Sequence, residues 1–385
     1  MQIEKLPVSP RAVAVNQGLE RALNRVVRTR DRLLERAHLG GRRARYDDLR
    51  YEFVGGASDT LRRKHYDKSL RLLWKAEAEA PWSSFRDQTE AERQLSDMAL
   101  RALTPEERAA RERLRGADFK ALLDRTYTPR QKQAIVAILA AIGHGEAYAW
   151  LVSAALLGEV QSTGGKAALT AQVLEEAKHF VVMRELIEAF GVPVPRQSAW
   201  EYVLLEGILR ARGVQKFFGM NVLVETIALS IFGLLAELPG LEILRLFHLD
   251  ESRHTALPEN YLREFPLTRW QRRSPLQRWR RLAMALPTLP LIGLLEEDLA
   301  ELGVDAFDFG GSVLRKVVRL SERAGFDLPT PGPILLRDLN LVFNAYCRLT
   351  RKHHRFRDFM TADTTRDAQS AAVERTVFGS APPPQ

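Results

Sequence analysis

The stretch LDESRHTAL, Leu249–Leu257, sets Glu251 and His254 three residues apart inside an apolar, helix-forming segment. Residues at i and i+3 lie on one face of a helix, so a carboxylate and an imidazole share one stripe. EEAKH repeats the spacing, with Glu176 and His179 in a second apolar segment. A third copy, ERAH (Glu35 to His38), closes an Arg-rich helix just before Gly40 and Gly41. There the favourable place of a histidine at a helix C-terminus explains the pattern, and no metal is expected.

What separates the two apolar copies from the third is a lone glutamate on the preceding helix. Glu146, in GHGEAYAWL, lies 30 residues before Glu176, and Glu225, in VLVETIAL, lies 26 residues before Glu251. The chain break near Thr163 is 17 residues after Glu146 and 13 to 16 before Glu176 and His179. The Pro239-Gly240 turn is likewise about midway between Glu225 and the Glu251/His254 pair. In an antiparallel helix pair, equal distances from the turn mean equal heights, at about 1.5 Å per residue. Both hairpins therefore bring Glu and ExxH to one level. Four carboxylates buried together cannot all ionise without cations. Two divalent ions resolve that repulsion, and mixed carboxylate and imidazole ligands suit iron or manganese.

The remainder of the chain reads as helices. Ser9-Pro10, Thr104-Pro105 and Thr128-Pro129 each place a capping residue before a proline at the first helical position. Residues 56 to 80 form an amphipathic helix ending before Pro81. Residues 129–158, 166–190, 198–237 with a break at Gly213, and 241–264 form the most apolar helices. FGSAPPPQ closes the chain as a disordered tail. No series of alternating strands is present. The apolar run MNVLVETIALSIFGLLAEL holds Glu225 at its centre, which argues for a buried helix rather than a membrane span. The single cysteine, Cys347, excludes an internal disulfide and an in-chain thiolate cluster. The N-terminus lacks the apolar core of a signal peptide, so a cytoplasmic protein is expected.

Between Glu146 and His254 the sequence resembles the ferritin-like non-haem di-iron carboxylate superfamily, over roughly residues 129–264. It is most similar to its O2-activating members: monooxygenases, acyl-carrier-protein desaturases and p-aminobenzoate N-oxygenases. The resemblance implies an all-α fold with a ferritin-like four-helix bundle core, in which a Glu from each of two helices and an ExxH from each of the others hold the metals. Carried over by position, Glu146, Glu176, His179, Glu225, Glu251 and His254 are the ligands. Each ExxH is preceded by an acid, Glu175 or Asp250, which the resemblance places on the far ring nitrogen of a metal-bound His across the bundle. Arg253, in DESRH, matches the DExRH form of the oxygenases. Residues 1–128 are expected to form N-terminal helices on that core, 265–375 C-terminal helices and 376–385 the tail. Where relatives carry a radical Tyr, an extra ligand His and a relay Thr, this chain has Met183, Phe247 and the pair Ala228-Leu229; His248 is read as a surface residue. Trp150, Phe218 and Leu229 are pocket candidates by spacing.

The implied activity is that of an O2-dependent di-iron oxidoreductase: a hydroxylase, N-oxygenase or desaturase of a small-molecule or carrier-protein-bound substrate. Two iron ions cycling between Fe2+ and Fe3+ are the expected cofactors, O2 the co-substrate, and an external reductase or ferredoxin the electron donor. The alternative is a non-catalytic iron-binding or storage protein. No nucleic acid and no membrane-spanning segment are expected, and a homodimer is admitted. The net charge of +9 is uneven, since residues 146–254 hold 13 acidic and 9 basic side chains and leave the flanks basic. The densest basic stretch, RWQRRSPLQRWRR (Arg269–Arg281), has six Arg and two Trp. Four readings stand for it: solvated surface, docking of an acidic carrier or reductase, membrane-surface contact, and nucleic-acid contact.

Overall fold

The computed structural model describes residues 5–37, 46, 119–160 and 163–350. They are almost entirely helical, and no strand occurs among them, so the all-α expectation holds. The helix expected over 56–80, the cap at Thr104, His38 with Gly40 and Gly41, and the tail lie outside the described residues.

Local signals place the helix starts. In α1 (Pro10–Arg36) Ser9 accepts the Ala12 N–H, while its hydroxyl donates to the Thr350 carbonyl at 2.6 Å. α2 spans Phe119–Thr126. In α3 (Pro129–Leu157) Thr128 and Gln131 cap each other's backbone N–H groups reciprocally. α4 (Thr163–Ala189) starts three residues earlier than expected, so Gly164 and Gly165 lie inside its first turn. α5 (Ala199–Arg210) carries a second reciprocal cap, Ser198 with Glu201. Gly213 then breaks the chain with φ +54°, a conformation that favours glycine. The next helix has three parts: α6 (Val214–Phe217), a π-helical segment (Phe218–Val224) and α7 (Glu225–Leu235). Gly240, at φ +85°, turns the chain into α8 (Leu244–Glu264). There follow α9 (Arg269–Arg273), α10 (Pro275–Ala285), α11 (Thr288–Leu294), α12 (Glu296–Glu301), α13 (Ala306–Arg323) and α14 (Gly332–Thr350).

Two helix pairs make the centre. α3 folds back on α4 and α7 on α8, and the pairs meet where α4 touches α8 and where the π segment lies against α3 and α8. α5 returns the chain along α3, α12 covers another part of α3, and α13 packs on α7. α2 closes the Pro239-Gly240 turn, with the Tyr127 hydroxyl donating to the Pro239 carbonyl at 2.6 Å. Helices surrounded on all sides need no polar stripe, which is why α3 and α7 read as continuously apolar. α3 and the helix Val214–Leu235 are long and apolar enough to cross a membrane, but most of each apolar stretch is buried within the fold.

The basic stretch at 269–281 is not one surface. Arg281 is fully buried and donates to the Gln271 and Asp327 carbonyls, with its guanidinium over the Phe326 ring. Burial lowers its pKa to about 10. Arg278 donates to the Leu328 and Pro329 carbonyls and Arg272 to Asp327. These three anchor the chain after α13. Arg269, Arg273 and Arg280 remain exposed.

Candidate metal centre

The structure brings all six candidate ligands together at the centre of the two helix pairs, every one of them buried. His179 Nδ1 lies 3.0 Å from Glu251 Oε1, 3.7 Å from Glu146 Oε2 and 3.9 Å from Glu176 Oε2. His254 Nδ1 lies 2.9 Å from Glu251 Oε2, 3.3 Å from Glu176 Oε1 and 3.4 Å from Glu225 Oε1. The donors fall into two groups able to hold an ion, Glu146–Glu176–His179–Glu251 and Glu176–Glu225–Glu251–His254. Glu176 and Glu251 belong to both. Four of the inward atoms, on Glu146, Glu176, His179 and Glu251, make no hydrogen bond of good geometry despite this crowding. Buried polar groups rarely stay so, and a pair of cations would satisfy them. Glu35, of the third ExxH, sits in the last turn of α1, away from this cluster.

Both imidazoles turn Nδ1 inward and Nε2 outward. His179 Nε2 meets Asp250 Oδ2 at 3.0 Å, and His254 Nε2 meets Glu175 Oε2 at 2.9 Å. Each histidine is thus held by the acid that precedes the other ExxH. Arg253 bridges the two acids, donating to Glu175 at 2.8 Å and to Asp250. Lys178 adds a contact to Asp250 at 2.9 Å. Lys178 was not among the expected residues, although the parallel between EAKH and ESRH carries it: a cation precedes each histidine. Phe247 stacks on the His179 ring, centroids 4.4 Å apart, and restricts its rotation.

A second group escaped the sequence reading. Gln172, one turn before Glu176, directs its amide nitrogen at Glu225 Oε1 (2.9 Å), Ser153 Oγ (3.0 Å) and Glu176 Oε1 (3.2 Å). Asn221, one turn before Glu225 in the π segment, donates to Gln172 Oε1 at 2.8 Å and to the His254 carbonyl at 3.0 Å. That carbonyl would ordinarily accept from residue 258, which is Pro258 and has no N–H. Asn221 supplies the missing donor. A proline four residues after a candidate ligand was the available signal.

Without a cation, burial and neighbouring charges pull these groups in opposite directions. Burial raises Glu146, and burial together with neighbouring carboxylates raises Glu176 and Glu225 well above the ordinary range. Burial acts on Glu251 in the same direction, but His254, Glu225 and His179 outweigh it and hold it well below. Burial opposes charge on His179 and His254, and the surrounding acids overcome it and raise both well above an ordinary histidine. Outside, burial is outweighed at Glu175 by His254 and Arg253, and at Asp250 by His179, Lys178 and Arg253, so both acids are held low.

A cavity of about 40 Å³ adjoins Glu146 and Glu225. Its walls are Ala141, Gly145 and Ala149 of α3, Leu204 of α5, Ala228 of α7 and Leu291 of α11, with Glu201 as the polar wall residue besides the two ligand candidates. The expected pocket residues are elsewhere. Trp150 is exposed and does not line the cavity, Phe218 packs edge-on against Phe326, and Leu229 is buried outside the cavity. His248 is not a surface residue. It is buried against Gly233, with Nδ1 2.8 Å from the Leu229 carbonyl, and burial lowers its pKa to about 4. Ala228 leaves room in the cavity wall, and the nearby Thr226 hydroxyl donates to its own helix at Val222.

No protein-family model, curated protein or solved structure matches the chain.

Proposed function

We propose that the chain is an O2-activating, non-haem di-iron oxidoreductase built on a ferritin-like core, acting as a hydroxylase, N-oxygenase or desaturase on an organic substrate. The observation that carries this reading is the pair of donor groups sharing Glu176 and Glu251, with each histidine held from outside by the acid of the opposite ExxH. Glu146, Glu176 and His179 would hold one iron and Glu225, Glu251 and His254 the other, with Glu176 and Glu251 placed to reach both. Carboxylate and imidazole donors fit ferrous iron, which when bound supplies redox chemistry toward dioxygen.

The chain's own part is to hold and shield. Asp250 and Glu175 fix each histidine in the tautomer that leaves Nδ1 free for a metal. Arg253 and Lys178 keep those acids ionised. Gln172 donates to Glu225 and Glu176, which steadies both carboxylates. The apolar wall beside Glu146 and Glu225 keeps bulk water out and leaves space for dioxygen or a water or two. A larger substrate would enter by movement of α5 or α11. The helices outside the core, which offer room for a substrate site and partner surfaces, favour an enzyme over a storage protein. Electrons would come from an external reductase or ferredoxin, since one cysteine cannot hold a cluster.

Metal analysis of protein produced in iron-rich medium tests the reading: about two equivalents per chain are expected from the two donor groups. The loaded protein should consume O2 catalytically with reductant. A folded protein with reproducibly no metal overturns the proposal. Two irons with a single, non-repeating oxidation would favour storage.

A further inference from the structure

α10 packs on the core through one face and leaves an apolar stripe on the other. Its sequence, PLQRWRRLAMA, divides cleanly on a helical wheel. Gln277, Arg278, Arg281, Leu282, Met284 and Ala285 face inward, the last three against the core and the two arginines locked to backbone carbonyls at 271, 327, 328 and 329. Leu276, Trp279 and Leu286 face outward, 52%, 61% and 49% exposed, while Arg281 is 0% exposed. Trp270, on the adjoining α9, is 62% exposed. Leu276, Trp279 and Leu286 thus stand in water while Arg281 of the same helix is buried, against the usual preference of each. The inward arginines are held by hydrogen bonds, so the helix cannot relax by rotating. A contiguous apolar stripe of this kind, joined by Trp270, marks an interaction face.

The charges beside that face identify it. Arg269, Arg273 and Arg280 are exposed and have no ion-pair partner among the described residues. A second copy docking face to face would set these arginines against their own counterparts. An anionic partner is required, and it must accept protruding tryptophans. A lipid surface does so without a matching recess: tryptophan favours the headgroup level, arginine pairs with phosphate, and firm attachment needs both apolar insertion and positive charge. We propose that α9 and α10 form an interfacial face that docks this chain on an anionic membrane surface. Trp270, Leu276, Trp279 and Leu286 enter the boundary between headgroups and acyl chains, and Arg269, Arg273 and Arg280 pair with lipid phosphates. The attachment is peripheral and independent of the metal centre.

Flotation of the full chain with phosphatidylcholine vesicles, with and without phosphatidylglycerol, tests this. The chain should float with the mixed vesicles, float poorly with phosphatidylcholine alone, and release as salt rises. Its tryptophan emission should shift to the blue on binding. Replacing Arg269, Arg273 and Arg280 with Ser removes only exposed side chains and should weaken partitioning about 100-fold, at roughly 5-fold for each charge. Trp270→Gln with Trp279→Gln should abolish the blue shift while leaving the circular dichroism spectrum unchanged. A folded wild-type chain that stays unbound with the mixed vesicles overturns the proposal, as do variants that float like wild type. Failure to float combined with arginine-dependent binding to an acidic carrier protein would also overturn it, and would make the face a protein dock.

Discussion

His179 and His254 occupy mirrored environments, and each draws on the opposite helix. Asp250 and Glu175 are both ionised by neighbouring cations and both accept from Nε2. Removing either acid frees an imidazole to rotate or to take the wrong tautomer. Asp250→Ala and Glu175→Ala are each expected to weaken metal affinity by about 10- to 100-fold, as read by chelator competition. Glu35→Ala, in the unpaired ExxH, should leave affinity unchanged. Equal affinities for Asp250→Ala and wild type would remove Asp250 from the centre. That Asp250 and Glu175 reach across was legible once two ExxH motifs were matched. Lys178 was missed because one lysine on a helix ordinarily means a solvated face.

At the scale of the helix, two irregularities support one another. The π segment carries Asn221 to the centre, and Pro258 leaves the His254 carbonyl for it to bond. π-Helical turns cluster at functional sites because the extra residue redirects side chains. Neither irregularity has a cost in isolation that the sequence would reveal as useful. Asn221→Leu keeps the volume but leaves the His254 carbonyl and Gln172 Oε1 without a donor. It should destabilise the protein by roughly 2–4 kcal/mol, two buried acceptors at about 1–2 kcal/mol each, measured by urea unfolding. Pro258→Ala restores an N–H to α8, so the Asn221→Leu/Pro258→Ala double variant should recover part of the loss. A strictly additive pair would refute the linkage.

Across the whole molecule, the candidate ligands come from α3, α4, α7 and α8, so a bound metal pair ties two helix hairpins to each other. In the metal-free chain burial and neighbouring carboxylates raise Glu176 and Glu225, and the surrounding acids raise both histidines, so all four lean toward their protonated forms. A metal would have to displace those protons, so its binding should strengthen as pH rises. Ferrous loading at about 100 times Kd should stabilise by about 2.7 kcal/mol per site. The melting temperature should then rise on the order of 5–10 °C at pH 7. The sign follows from the protons released: the gain should be smaller at pH 6 and larger at pH 8. Calorimetry of metal-free and loaded protein across that range checks it, and a gain independent of pH would contradict the proton inventory.

The sequence by itself determined the helical class, the starts of α1 and α3, the breaks at Gly213 and Gly240, and the six residues that meet at the centre. Those features follow from short-range rules: caps, proline and glycine geometry, and the i, i+3 spacing repeated at matched distances from two turns. Only the tertiary structure decided which direction each side chain takes once helices pack. Arg281 and Arg280 are neighbours in one basic run, yet one is buried against carbonyls and the other faces out, because 100° of helix rotation separates them. His248 reads as an ordinary histidine and becomes a buried one through Gly233, which leaves the space for its ring. The cavity beside Glu146 is bounded by α5 and α11, elements whose approach no local pattern encodes. Spacing along a helix is a property of the chain, whereas enclosure is a property of the elements that surround it.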